Sequence, residues 1–163
     1  MTTPAPSPGD IAKWNRWFAI ETNNLAWTLA EESARTPAQQ EEMINGAHAA
    51  AYHWSKVGSE LNKARAEMLL GLVHALVGNG SLAMLYARRS FEYISSHESP
   101  DWEIALAHAV LALAADAAED RSLHAEHYAL AKAAGDAIAD SGDKEIFDRV
   151  FTQLPAPRVT QTR

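Results

Sequence analysis

Apolar residues recur at three- and four-residue steps in one segment after another, and the segments are joined by only two to five residues with helix-start and helix-stop chemistry. Linkers that short force successive helices to lie antiparallel side by side, which restricts the chain to stacked or bundled helical hairpins. Alanine makes up about a fifth of the chain, and glycine and β-branched residues are sparse, a composition that favours helix over strand. With 163 residues, one hydrophobic core and one domain are expected, over residues 10–154. The proline-bearing ends, residues 1–9 and 155–163, are expected to be disordered tails.

The spacing predicts seven helices. The first runs from about Asp10, as N-cap, to Ala34, with Trp14, Trp17, Phe18, Leu25 and Leu29 on its inward face. Thr36-Pro37-Ala38-Gln39 reads as a capping box that opens the second, which ends at Gly58. Ser59 caps the third, and Gly78-Asn79-Gly80 turns the chain into the fourth, from about Ser81 to Ser96. Ser99-Pro100 starts the fifth, Glu119-Asp120 leads into the sixth, and Asp143 caps a short seventh that closes the core edge. The expected core includes Trp54, Leu69, Leu72, Leu76, Leu85, Phe91, Leu111 and Leu130.

Charge and composition remove several functions. A net charge of −7 offers no broad cationic footprint for nucleic acid or for an anionic membrane, so neither is an expected partner. The absence of cysteine excludes disulfides, thiolate metal sites and cysteine nucleophiles. The N-terminal Met1–Pro8 stretch has no cationic region followed by an apolar run, which gives the expectation of a cytoplasmic protein. No phosphate-binding loop, nucleophile elbow or His-Glu-x-x-His motif occurs, and no cofactor is implied.

Small residues repeat one turn apart at Ala47/Ala51, Ala83/Ala87 and Ala125/Ala129 in the second, fourth and sixth helices, each beside a tyrosine, Tyr52, Tyr86 or Tyr128. The stretch Ala64 to Phe91 resembles a tetratricopeptide repeat: Leu70-Gly71 stands where that family has its leucine-glycine pair, Gly78 at its turn and Ala83 at its small second-helix position. A second, more divergent copy runs from about Trp102 to Ala133 with Ala125 in the small-residue place. The chain departs from the pattern at Ala87, where a bulky residue is usual, and at Ser90. The resemblance implies a right-handed stack of hairpins whose concave face, lined by the first, third and fifth helices, holds a protein or peptide partner. It implies no catalysis.

Two groups of side chains invite chemistry. His124 and His127, three apart, present two nitrogens for a metal, with His108 or Asp116 as further ligands; two nitrogens alone define no zinc site. Glu21 falls among the apolar residues of the first helix, and a buried carboxylate needs a donor, for which Arg65 or His48 is nearest to hand. Glu21, His48, Tyr52 and Arg65 therefore form the polar set of a candidate small-molecule pocket or small active site, with Trp27 and Trp54 as walls.

The leading expectation is a non-catalytic helical-repeat module that binds a protein or peptide, or a second copy of itself, since a stack of about three hairpins leaves apolar ends to be covered. The competing expectation is the pocket between the first three helices.

Overall fold

The computed structural model describes residues 5–158. Seven α-helices follow one another: α1 (Pro8–Glu31), α2 (Pro37–Val57), α3 (Glu60–Leu76), α4 (Gly80–Ser96), α5 (Asp101–Ala117), α6 (Arg121–Asp136) and α7 (Ser141–Phe151). There is no strand among the described residues, and no helix among them is long and apolar enough to cross a membrane.

The boundaries follow from local hydrogen bonding. Thr36 and Gln39 complete the capping box of α2, and Ser59 and Asn62 make a second such box at α3. Asn79 and Asp120 cap α4 and α6 by accepting from the backbone of Leu82 and Leu123. Three starts differ from the sequence reading. Ser7, not Asp10, caps α1, with Pro8 in the first turn, so the helix begins inside the expected tail. Asp140, not Asp143, caps α7, because its Oδ1 reaches the backbone N–H of both Gly142 and Asp143. Ser99 does not cap α5; its hydroxyl donates back to the Ile94 carbonyl at 3.2 Å. Residues 1–4 and 159–163 of the expected tails lie outside the described residues.

Each hairpin packs on itself, α1 on α2, α3 on α4 and α5 on α6, while α3 also lies against α1 and α5, and α7 against α5 and α6. The odd-numbered helices thus form a contiguous layer, and each even-numbered helix packs between two successive odd ones, α2 also against α3 and α4 also against α5. The central α5 is buried around most of its circumference, with Glu103 inside alongside Ala105, Leu106, Ala107 and Ala109 through Ala115.

Small residues set the helix spacing. A methyl group on Gly71 of α3 would lie 2.9 Å from the backbone nitrogen of Ala87 on α4, so both positions must stay small for the hairpin to close. This contact accounts for the alanine at 87, where the tetratricopeptide pattern has a bulky residue. Likewise α1 turns Ala19, Ala26 and Ala30 inward, and α2 answers with Gly46, Ala47 and Ala50. The stripe of Trp14, Trp17, Phe18 and Leu25 expected to face inward lies exposed instead. An alanine face brings helix axes closer than a tryptophan face can, and that approach decided which side of α1 was buried. Leu85 and Leu130, placed in the core by periodicity, are exposed on α4 and α6, whereas Leu69, Leu72 and Leu111 are buried and Trp54, Leu76 and Phe91 half-buried.

Candidate functional site

A cleft of about 520 Å³ opens on the odd-numbered layer. Its walls are three indoles: Trp27 of α1, Trp54 of α2 and Trp102 of α5. Between them stand the amides of Asn23 and Asn24 on α1 and of Asn62 on α3, whose Oδ1 is taken up by the Ser59 capping box. Met68 and Leu106 add apolar lining, and Ile146 of α7 bounds one side.

The charges around the cleft are paired. Arg65 of α3 lines it and donates from Nε to Glu103 Oε1 at 2.5 Å, with its guanidinium 5.9 Å from the centre of the Trp102 ring. Glu103 is fully buried, and its Oε2 has no hydrogen-bond partner among the described residues. Burial of a carboxylate is tolerable only beside a cation, which fixes the Arg65 side chain across the floor of the cleft. Glu31, also on the wall, is bound by Arg149 of α7 at 2.9 Å, and Arg149 reaches Glu145 at 2.7 Å with its other terminal nitrogen. Gln153 donates to the Ala30 carbonyl at 3.0 Å, tying the C-terminal end of the stack to the end of α1. The result is a water-accessible cleft with tryptophan walls and amide donors and acceptors, in which the acidic and basic side chains already neutralise one another.

Of the side chains singled out from the sequence, the structure brings Trp27, Trp54 and Arg65 together and leaves Glu21, His48 and Tyr52 off the cleft wall. Glu21 is exposed, and the carboxylate that Arg65 meets is Glu103. Tyr52 is exposed with Lys56 over its ring at 4.8 Å. His48 Nε2 lies 3.0 Å from His74 Nε2, whose ring stacks on Tyr86. Sequence reasoning passed over Glu103, Trp102 and the three asparagines. A signal for Glu103 was present: with Leu106 and Val110 it recurs at three- and four-residue steps, so a carboxylate stands on the buried stripe of α5.

The histidine candidates separate. His124 places Nδ1 2.9 Å from the Ala112 carbonyl and Nε2 3.0 Å from the Pro155 carbonyl, so both nitrogens face backbone acceptors and the ring lies against the chain just past α7. His127 Nδ1 instead lies 2.9 Å from His108 Nδ1, with Phe91 against both rings. Burial, reinforced by the neighbouring His127, pushes the His108 ring down to about 4. Burial also lowers His74, with a further contribution from His48, and lowers His127, there opposed by Glu126. Among the described residues, no three His, Asp or Glu side chains gather in a metal-binding set.

Fold and cleft together define a class: an all-α stack of helical hairpins with a tryptophan-walled cleft on one layer. The chain matches no protein-family model, no curated protein and no solved structure.

Proposed function

We propose that the protein is a non-catalytic, tetratricopeptide-like module that holds an extended segment of a partner protein in the cleft between α1, α3, α5 and α7. The observation that carries this reading is the pairing of indole walls with the Asn23, Asn24 and Asn62 amides around charges that are already neutralised. An extended peptide carries unpaired backbone N–H and C=O groups, which the Asn23 and Asn24 amides bind as donor and acceptor at once, while Asn62, its Oδ1 held by Ser59, offers its Nδ2 donor. Its side chains supply the apolar or aromatic surface that tryptophan pockets bury well. A strongly charged ligand gains less here, because both the arginine and the glutamates of the cleft already have partners.

The size of the cleft also suits a small molecule, since such sites range from about 300 to 1,000 Å³. In that reading Arg65, Trp27 and Trp54 act from the sequence-derived set, and the asparagines take the place of Glu21, His48 and Tyr52.

Selection of a random-peptide display library on the full-length chain tests the leading reading, with tryptophan fluorescence as the binding signal. Selected peptides are expected to bind with affinities that fall at least tenfold in Trp54→Ala and in Asn23→Ala, while Tyr52→Ala binds normally. A library that yields no binder, or binders indifferent to both cleft substitutions, overturns it.

A further inference from the structure

Hydrogen-bond donors outnumber acceptors in the cleft, which narrows the class of peptide it can hold. Arg65 uses only its Nε on Glu103; its terminal nitrogens have no partner among the described residues and, on a side chain 40% exposed, stay open to water. No described residue accepts from the indole N–H of Trp27, Trp54 or Trp102, and none of those nitrogens is shut away from solvent. Asn62 adds a further donor, since its Oδ1 is occupied by the backbone N–H and the hydroxyl of Ser59. Acceptors are fewer: the side-chain oxygens of Asn23 and Asn24, the Thr28 hydroxyl, and the one Glu31 oxygen that Arg149 leaves.

An ordinary extended peptide brings one N–H for every C=O, so against a donor-rich wall many of its N–H groups would be buried facing other donors. Proline keeps the carbonyl and has no N–H. A polyproline II backbone makes no internal hydrogen bonds, which leaves its carbonyls open to outside donors. Its rings are apolar, and aromatic-lined grooves are the surfaces on which such segments dock. Given the peptide-holding reading of the cleft, on which this rests, we infer that the occupant is an uncharged, proline-rich segment of a partner protein in the polyproline II conformation. Its carbonyls accept from the Arg65 terminal nitrogens, Asn62 Nδ2 and the indole N–H groups, and its proline rings pack between the three tryptophans.

Two other properties of the site agree. The charges of the cleft are already paired, Arg65 with Glu103 and Glu31 with Arg149, so a segment without charged side chains forgoes little there. The polyproline II helix is also ordered before it binds, so less conformational entropy is lost on entry than with a flexible strand. The few acceptors, Asn23 and Asn24 foremost, match the occasional N–H of the residues between prolines.

The test is to sequence and resynthesise the peptides that a random display library yields on the full-length chain. Proline is expected to be enriched in them, and changing two prolines of a binder to alanine should weaken it at least tenfold, because each change brings back an N–H and loosens the backbone. On the protein, Trp54→Phe keeps an aromatic wall and removes one donor, and Arg65→Lys keeps a cation beside Glu103 and removes the terminal fork. Each should lower affinity for a proline-rich binder about fivefold, with the helical circular dichroism signal unchanged. Cleft binders that lack proline, or that tolerate the alanine changes, overturn the inference and leave the peptide-holding reading standing, and unchanged affinity in both protein variants overturns it as well. A library with no cleft binder removes that reading and the inference with it.

Discussion

Arg65 donates from Nε to a carboxylate oxygen of Glu103, a fully buried residue, while the second oxygen of Glu103 has no partner among the described residues. The two side chains join α3 to α5 beneath the candidate cleft, and they contribute unequally. Arg65 keeps contact with water and Glu103 has almost none. Removing the arginine therefore leaves an uncompensated buried charge, whereas replacing the carboxylate with an amide leaves only an exposed cation.

Arg65→Ala is accordingly expected to lower stability by about 2–3 kcal/mol, and Glu103→Gln by distinctly less. Urea unfolding followed by circular dichroism compares the two. Equal losses, or a larger loss in Glu103→Gln, would refute the asymmetry.

The close approach of α3 and α4 predicts that Gly71→Ala destabilises the protein. Alanine gains about 1 kcal/mol in helix propensity, but its methyl overlaps the backbone of Ala87, so overpacking reverses the sign and leaves a net loss of about 1–2 kcal/mol. Gly135→Ala should behave alike, since its methyl would collide with the fully buried Phe147 ring. Gly9, in the first turn of α1 with only the Ser7 hydroxyl nearby at 3.9 Å, is the control, and its alanine variant should be as stable as the parent or more stable by up to about 1 kcal/mol. Chemical denaturation midpoints decide this prediction.

The buried histidines make stability depend on pH. His74, His108 and His127 all have folded-state proton affinities below the ordinary 6.5, His108 at about 4, so between these limits the unfolded chain binds more protons than the folded one. Stability is therefore present above about pH 6.5 and lost as the pH falls toward 4. A tenfold change in proton affinity is worth about 1.4 kcal/mol, and water around the half-buried His108 ring screens its contribution down to about 1–2 kcal/mol. Melting temperatures measured from pH 7 down to pH 5 should fall, and less steeply in His108→Gln. A flat profile in the parent protein would contradict the prediction.

What the sequence determined by itself is the succession of helices, because its signals act within about one turn. Thr36 and Gln39, or Ser59 and Asn62, satisfy amides three residues away whatever the rest of the chain does. Even there, Ser7 replaced Asp10 and Asp140 replaced Asp143, since neighbouring carboxylates and hydroxyls compete for the same amides and only the folded backbone selects among them. The fold class followed from the same signals, as linkers of a few residues permit little but antiparallel neighbours.

On α3 the expected face, with Leu69 and Leu72, is the buried one, but the buried face of α1 was decided by tertiary structure. On α1 hydropathy favours the stripe of Trp14, Phe18 and Leu25, yet Ala19, Ala26 and Ala30 are inside, because small residues let α1 and α2 approach closely along their length. The same distinction separates Glu21 from Glu103. Both carboxylates stand on apolar stripes of the sequence, and only the packing of α3 against α5 placed Glu103 beside Arg65 while leaving Glu21 in water. The cleft joins residues from five helices, α1, α2, α3, α5 and α7, so its existence depends on long-range helix spacing that local periodicity does not encode.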